Sequence, residues 1–114
     1  MNHKEVAKVL NARIITGEGG EQTEYQYAFA SDLMSDVLTI DTEHLILLTG
    51  LANLQAIRTA EMSDISCIVL VRGKKATEDM IQLAIENEQT IIECSYSMFK
   101  ASALLYNAGL ESLY

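Results

Sequence analysis

Three continuous apolar segments in the second half of the chain constrain the fold more than any other feature. They run from His44 to Leu48, from Ser66 to Val71 and from Thr90 to Cys94. Segments of helical periodicity separate them, one from Leu51 to Met62 and one that Thr77 caps, with Ile81, Ala84 and Ile85 on its inner side. Strands that are apolar on both faces need helices on both faces, which is typical of parallel sheets. The sequence therefore predicts an α/β three-layer sandwich, with a mainly parallel sheet built from three consecutive β-α units.

The first half of the chain predicts smaller elements packed at one side of that sheet. Apolar residues at helical spacing predict a helix from Lys4 to Asn11, and a strand follows from Arg13 to Thr16. A second strand is predicted from Glu24 to Ala30, with three alternating aromatic residues on one face: Tyr25, Tyr27 and Phe29. The stretch Gly17–Gly20 lacks the lysine and the element order of a phosphate-binding loop, so it predicts a hairpin turn between these strands.

The next segment contains the pair Ser-Asp twice, four residues apart. Ser31 is a good N-cap for a helix through Leu38, with Asp32 in its first turn, where the helix dipole favours a carboxylate. In that helix Asp32 and Asp36 lie on one face and repel each other. One interpretation is that they contact the hydroxyls of a ligand or a hydrated divalent ion, although two carboxylates are too few to enclose a metal. The other is that they serve only as cap and ion-pair partners.

The last predicted helix is apolar on nearly all sides. Ser95 or Ser97 caps it, it continues through Asn107, and Gly109 is placed to end it. A helix on the surface of a monomer normally has a polar face. We therefore expect this helix to mediate self-association, with a dimer favoured. Its apolar residues are Met98, Phe99, Ala101, Ala103, Leu104, Leu105, Tyr106, Ala108 and Leu110.

Composition and charge exclude several classes of function. The chain has 114 residues, as expected for a single domain spanning 1–114, and a formal net charge of −8. That charge disfavours binding to nucleic acid and to anionic membranes. No apolar run approaches the ~20 residues of a membrane span, and the N-terminus lacks the apolar core of a signal peptide, so we expect a cytoplasmic location. Cys67 and Cys94 lie in apolar runs and are expected to be reduced and buried, and no metal or cofactor is predicted.

Polar residues at the ends of the predicted strands form a candidate anion site. Ligands of open parallel sheets bind outside the carboxyl ends of the strands, and each of these ends precedes a helix N-terminus, which favours an anion. Arg72 and Lys74 add positive charge to an otherwise acidic chain. The alternative is ordinary turn chemistry, with Arg72 paired to Asp32, Asp36 or Glu93. The residues at these ends are Thr49, Gly50, Arg72, Gly73, Lys74 and Ser95.

Several sequence motifs, taken together, resemble the DRTGG domain family from Lys4 to Leu110. They are Ser31–Leu38, Leu48-Thr49-Gly50 with Asn53, Ile57–Met62, Ile68–Lys74, and the last helix with Phe99, Leu105-Tyr106 and Gly109-Leu110. Such domains are similar to the N-terminal domain of HPr kinase/phosphorylase. The resemblance implies an α/β fold, self-association and a regulatory, ligand-sensing role without catalysis.

One departure from the family pattern affects the ligand site. The Asp-Arg-Thr-Gly-Gly pentapeptide that names the family is absent, and Glu24–Ala30 stands before the Ser-Asp motif. Glycine allows close backbone approach to a ligand, whereas Tyr27 and Ala28 are less permissive. A binding mode that depends on those glycines is therefore not expected here.

These observations lead to three hypotheses of function. The first is a non-catalytic regulatory domain that self-associates and binds a small anionic metabolite or nucleotide. The second is a protein-interaction module for a larger enzyme, without a small ligand. The third is a small enzyme with Asp32 or Asp36 as a base, ranked last because the sequence contains no nucleophile, base and orienting residue in a recognisable set. The predicted ligand-binding residues are Ser31, Asp32, Asp36, Thr49, Gly50, Asn53, Arg72, Gly73, Lys74 and Ser95.

Overall fold

A computed structural model describes residues 1–17, 19 and 23–114 of the chain. In these residues it contains five helices and six strands. The helices are α1 (His3–Val9), α2 (Met34–Val37), α3 (Leu54–Met62), α4 (Glu78–Glu86) and α5 (Met98–Asn107). The strands are β1 (Arg13–Thr16), β2 (Tyr27–Ala30), β3 (Leu45–Thr49), β4 (Cys67–Leu70), β5 (Thr90–Glu93) and β6 (Glu111–Ser112).

All six strands form one sheet, in the order β1-β5-β4-β3-β2-β6. β5, β4, β3, β2 and β6 run parallel to their neighbours, and only β1 is antiparallel, to β5. Every residue of β3 and β4 is buried. The mainly parallel sheet predicted from the apolar segments is therefore confirmed, and the short edge strand β6 is an addition that the sequence pattern did not indicate.

Two apolar cores lie on opposite faces of the sheet. One contains Leu10 near the end of α1 and Leu105 of α5, packed against β3, β4 and β5. The other contains Val37 of α2, Ile57 of α3 and Met80 of α4. Two helices thus cover one face and three cover the other, which confirms the three-layer sandwich.

The predicted hairpin between β1 and β2 is wrong. Three strands separate them in the sheet, and β1 pairs instead with β5. Thr16 reinforces that pairing, since its hydroxyl donates to the Gln89 carbonyl at 2.8 Å and accepts from the Ile91 amide at 2.9 Å. Glycines indicate a turn but do not determine which strand pairs with which. Glu18 and 20–22 lie outside the described residues.

The three aromatic residues near β2 do not share a face. Tyr25 precedes the strand and packs in the core of α1 and α5, with its amide donating to the Met1 carbonyl at 2.7 Å. Tyr27 and Phe29 pack on the opposite core. The strand begins only at Tyr27, so the alternation predicted from Tyr25 onward does not hold.

The predicted helix from Ser31 to Leu38 is shorter and begins later. α2 is one turn from Met34, and Leu33 is its N-cap residue without a side-chain hydrogen bond. The Ser31 hydroxyl accepts from the Leu33 amide at 3.0 Å, so it stabilises the turn before the helix and does not cap it. Asp32 lies outside the helix and Asp36 lies within it, so the prediction that both face one side of a helix is wrong.

The caps of the longer helices agree better with the sequence. The Thr77 hydroxyl accepts from the Met80 amide at 3.2 Å, as predicted for α4. The inner face of α4 differs from expectation, because Met80 and Ala84 are buried whereas Ile85 is 56% exposed. Ile81, also expected to face inward, is only half-buried.

Of the two serines offered as the cap of α5, the structure selects Ser97. Its hydroxyl accepts from the Lys100 amide at 3.1 Å, and Gly109, with φ of 115°, follows the last turn. At α3, Asn53 is the N-cap and accepts from the Ala56 amide at 3.1 Å. The helix therefore begins at Leu54, three residues later than predicted.

Candidate functional site

The candidate site lies at the carboxyl edge of the sheet, where the end of β3 meets the segment after β2. One oxygen of Asp32 accepts two hydrogen bonds, from the Thr49 hydroxyl at 3.0 Å and from the Gly50 amide at 2.6 Å. The Thr49 hydroxyl in turn accepts from the Leu51 amide at 3.1 Å. Asp32 therefore joins the two strand ends, and its second oxygen, Oδ2, accepts no hydrogen bond among the described residues.

Arg72 occupies a tight turn after β4. Arg72 and Gly73 have φ of 60° and 70°, and the Lys74 amide donates to the Val71 carbonyl at 3.2 Å, which is the arrangement of a type I′ turn. A positive φ is uncommon for a residue with a side chain. Two further hydrogen bonds hold the turn, from the Arg72 amide to the Tyr96 carbonyl at 2.7 Å and from the Gly73 amide to the Cys94 carbonyl at 2.9 Å.

The guanidinium of Arg72 lies against the backbone of Gly50. A Cβ atom placed on Gly50 would stand 3.1 Å from Nη2 and 3.4 Å from Nε of Arg72, and 3.4 Å from Oδ2 of Asp32. The φ of Gly50 is not positive, so its backbone conformation does not require a glycine. What the site requires at this position is the absence of a side chain. The glycine thus leaves room for an arginine and a carboxylate to approach the same strand end.

Arg72 does not lie within ion-pair distance of the carboxylates considered in the sequence. Among the described residues, Arg72 forms no ion pair with Asp32, Asp36 or Glu93. Glu93 is engaged elsewhere, since it lies 3.4 Å from Lys75 Nζ and accepts from the Ala76 amide at 2.8 Å. Of the alternative of ordinary turn chemistry, the structure therefore shows the tight turn but none of the ion pairs considered for Arg72 in this part of the chain.

The structure brings together only part of the predicted set. Asp32, Thr49, Gly50 and Arg72 meet at one point, and Ser31 lies next to them, its amide bonded to the Leu48 carbonyl at 3.0 Å. Gly73 and Lys74 belong to the turn that carries Arg72. Asn53 caps α3, and the exposed side chains of Asp36 and Ser95 form no described hydrogen bond with this cluster.

Tyr96 is a residue of the site that sequence reasoning missed. Its carbonyl accepts the Arg72 amide, and Lys100 Nζ lies 3.9 Å from the centre of its ring. The Tyr96 segment therefore connects the Arg72 turn to the first turns of α5. The sequence shows a tyrosine between the last predicted strand and the cap of the last helix. That position by itself indicates no contact.

An apolar groove of about 340 Å³ lies between α5 and the β2–β6 edge of the sheet. Phe99 and Tyr106 stand at this groove and are 85% and 67% exposed. This exposure agrees with the expectation that the last helix has apolar residues on its outer side. The groove is lined by Ala28, Ala30, Leu48, Phe99, Ser102, Ala103, Tyr106, Leu110, Glu111 and Ser112.

At the amino edge of the sheet, a buried cysteine, Cys67, lies beside a buried tyrosine, Tyr25. Burial raises the pKa of the Cys67 thiol to about 12, against which a hydrogen bond from Tyr25 acts weakly. Burial, with Cys67 beside it, likewise raises the pKa of Tyr25 to about 12. Both groups are therefore neutral near pH 7, and Cys67 lacks the thiolate that a nucleophile needs.

A metal centre or a membrane-spanning helix would indicate another class of function. No group of three or more His, Cys, Asp or Glu in the described part of the chain is placed to hold a metal ion. None of the helices found in those residues has the length and apolar character to cross a membrane.

The comparison with protein families matches the DRTGG domain model to residues 5–108. The chain belongs to the DRTGG domain family. This confirms the resemblance predicted from the motifs, despite the absence of the pentapeptide. Comparison with curated proteins gives no match.

A solved structure shares the fold of this DRTGG domain. It comprises the CBS and DRTGG domains of the regulatory region of Clostridium perfringens pyrophosphatase, complexed with the activator diadenosine tetraphosphate. The match has a TM-score of 0.77 at 17% sequence identity, and it covers 91% of this chain but 45% of that one. At this identity the similarity establishes the α/β fold.

Proposed function

We propose that residues 1–114 form one regulatory domain, without catalytic activity, that senses a small anionic ligand at the carboxyl edge of its sheet. The observation that carries this proposal is the guanidinium of Arg72, which lies against Gly50 without an ion-pair partner among the described residues. α3 and α5 follow β3 and β5, so their N-termini add partial positive charge at the same edge.

Several observations favour sensing over catalysis. Cys67 is protonated, and one oxygen of Asp32 is already occupied by Thr49 and Gly50, so neither residue matches an activated nucleophile with its base. Both free cysteines are buried, which is in keeping with the reducing cytoplasm in which we place the protein. The regulatory region of the clostridial pyrophosphatase binds a dinucleotide, so nucleotides belong among the ligands to be tested.

Ligand-dependent thermal stability tests the proposal. The full chain is melted with inorganic phosphate, adenosine monophosphate or diadenosine tetraphosphate. A ligand at 100 times its Kd adds about 2.7 kcal/mol to the free energy of unfolding. We expect Arg72→Ala to weaken binding at least tenfold, because the guanidinium is the group that faces the anion.

The matched control is Arg58→Ala, which removes the same charge from an exposed position on α3. It should bind as the unmodified chain does. Equal losses in Arg72→Ala and Arg58→Ala would mean that only net charge matters, and the proposed site would be wrong.

We also propose that two copies of the chain pair through the outer face of α5. This face presents two exposed aromatic side chains, Phe99 and Tyr106, at a groove of which half of the lining residues are alanine or serine. A protruding ring and a recess on one surface are self-complementary, which is what a two-fold symmetric interface requires. Sedimentation equilibrium of the full chain should detect a dimer, and a monomer at all concentrations would contradict this pairing.

A further inference from the structure

The carboxylate of Asp32 lies beside the proposed anion site, which constrains the ligand. Asp32 Oδ2 and the Arg72 guanidinium both lie within 3.4 Å of the position that a Cβ atom on Gly50 would take. We propose that the ligand is a phosphate ester that also carries hydroxyl groups, as sugar phosphates and ribonucleotides do. Its phosphate contacts Arg72, and a hydroxyl donates to Oδ2 of Asp32. This inference rests on the proposed function and specifies the ligand class of the same site.

The geometry of Asp32 makes it a fixed acceptor. Its Oδ1 is held by the Thr49 hydroxyl and the Gly50 amide, so the carboxylate cannot turn away without losing both bonds. Its Oδ2 is thereby directed to the side where Arg72 lies. A bare anion at Arg72 would meet this carboxylate and be repelled, whereas a hydroxyl donor beside the anion converts the repulsion into a charge-assisted hydrogen bond.

The local charge favours a hydroxyl over an ammonium as the donor. Arg72 and Lys74, in one turn, carry two positive charges without ion-pair partners among the described residues. Asp32 supplies one negative charge, and one of its carboxylate oxygens already accepts hydrogen bonds from Thr49 and Gly50. Counted over the whole turn together with Asp32, the local charge is therefore net positive and complements a ligand of net negative charge. A phosphate with neutral hydroxyls fits this balance.

Calorimetric titration of the full chain with three compounds tests the inference. The compounds are inorganic phosphate, methyl phosphate, which has the ester but no hydroxyl, and ribose 5-phosphate. We expect ribose 5-phosphate to bind at least tenfold more tightly than methyl phosphate. In Asp32→Asn the side-chain oxygen can still accept from Gly50, but an amide donor replaces the free oxygen, so this preference should disappear while methyl phosphate binding is kept or strengthened.

The outcomes separate this inference from the proposed function. Equal binding of methyl phosphate and ribose 5-phosphate to the unmodified chain overturns the hydroxyl contact but leaves the anion site in place. The same holds if Asp32→Asn strengthens both ligands equally. Failure of all three compounds and of the nucleotides to bind overturns both. The comparison of the two esters needs no variant, so it can overturn the hydroxyl contact even if Asp32→Asn does not fold.

Discussion

Gly50 shows how a single missing side chain organises the site. Its backbone conformation suits any residue, yet a Cβ there would come within 3.1 Å of Arg72 Nη2. Gly17 differs, because it has φ of 84° and a Cβ there would clash with the Thr90 hydroxyl oxygen. The first glycine serves the approach of two charged side chains, and the second serves the fold.

The two glycines therefore predict opposite phenotypes on substitution. In Gly50→Ala the new methyl group meets the flexible end of Arg72, so stability should change by less than about 0.5 kcal/mol, while phosphate binding falls at least tenfold as the guanidinium is displaced. In Gly17→Ala the strained backbone and the contact with Thr90 should cost about 1 kcal/mol or more, with binding unchanged. Thermal melts and calorimetric titration measure both quantities, and unaltered binding in Gly50→Ala would contradict the arrangement.

Because the thiol of Cys67 is buried, we expect the protein to lose stability at alkaline pH. Its pKa is raised by burial from 9.0 to about 12 in the folded chain, so between these values the unfolded chain loses a proton that the folded chain keeps. The free energy of unfolding therefore falls with rising pH, by about 1.4 kcal/mol per unit for this group, and the contribution is complete below the unfolded pKa. Urea unfolding from about pH 8 to pH 11 measures the slope.

Two variants assign that slope to the buried pair. Cys67→Ala removes the thiol and should remove the part of the fall that begins near pH 9, although the lost packing lowers stability at neutral pH. Tyr25→Phe removes the second group, whose pKa burial also raises from 10.0 to about 12, and should reduce the slope only above about pH 10, while the part due to Cys67 remains. A slope unchanged in both variants would mean that neither group is responsible.

Sequence reasoning placed Thr49, Gly50 and Arg72 together because parallel strands end at one edge of a sheet, and that rule does not depend on local detail. The structure has these residues side by side, and their role in ligand binding stays a prediction. Asp36 was included among the predicted site residues because the helix was predicted to begin at Ser31. The helix begins later because the Asp32 carboxylate accepts a hydrogen bond from the Gly50 amide, a tertiary contact that local helix propensities do not include.

Substitution of the two serines before α5 tests which of them caps the helix. Ser97→Ala removes the side-chain bond to the Lys100 amide and should cost about 1 kcal/mol of stability, as is usual for serine caps. Ser95→Ala is the matched control, since Ser95 is exposed and makes no described cap bond. Chemical denaturation distinguishes the two variants, and equal losses would show that Ser95 also stabilises the helix start.

The elements themselves were predictable to different degrees. β3 and β4 are buried at every position and β5 at three of its four positions, and such strands admit few positions other than the middle of a covered sheet. β1 and β2 are less buried, and short exposed segments with a glycine-rich connection fit either a hairpin or two separate positions. Their placement is decided by long-range pairing with β5 and β3, and the spacing of residues along the chain does not encode it.

At the scale of the whole molecule, the candidate ligand site and the α5 groove are built on the same two strands. Ala30 and Leu48 line the groove, and Asp32 and Gly50 follow two residues later on the same strand ends. The Arg72 turn is also bonded to Tyr96, on which Lys100 of α5 lies. Ligand binding and pairing of two copies are thus expected to affect each other, and any such coupling must be reciprocal.

Pairing through α5 predicts that stability depends on protein concentration. For a dimer whose monomers unfold on dissociation, each tenfold rise in concentration adds about 1.4 kcal/mol per dimer to the free energy of unfolding. Phe99→Glu places a charge in the proposed interface, so its melting temperature should not vary with concentration. Met62→Glu makes the same kind of change at a residue 69% exposed on α3, in the opposite layer, and should keep the dependence. If Met62→Glu abolishes the dependence and Phe99→Glu preserves it, the two copies pair through the other face of the sandwich.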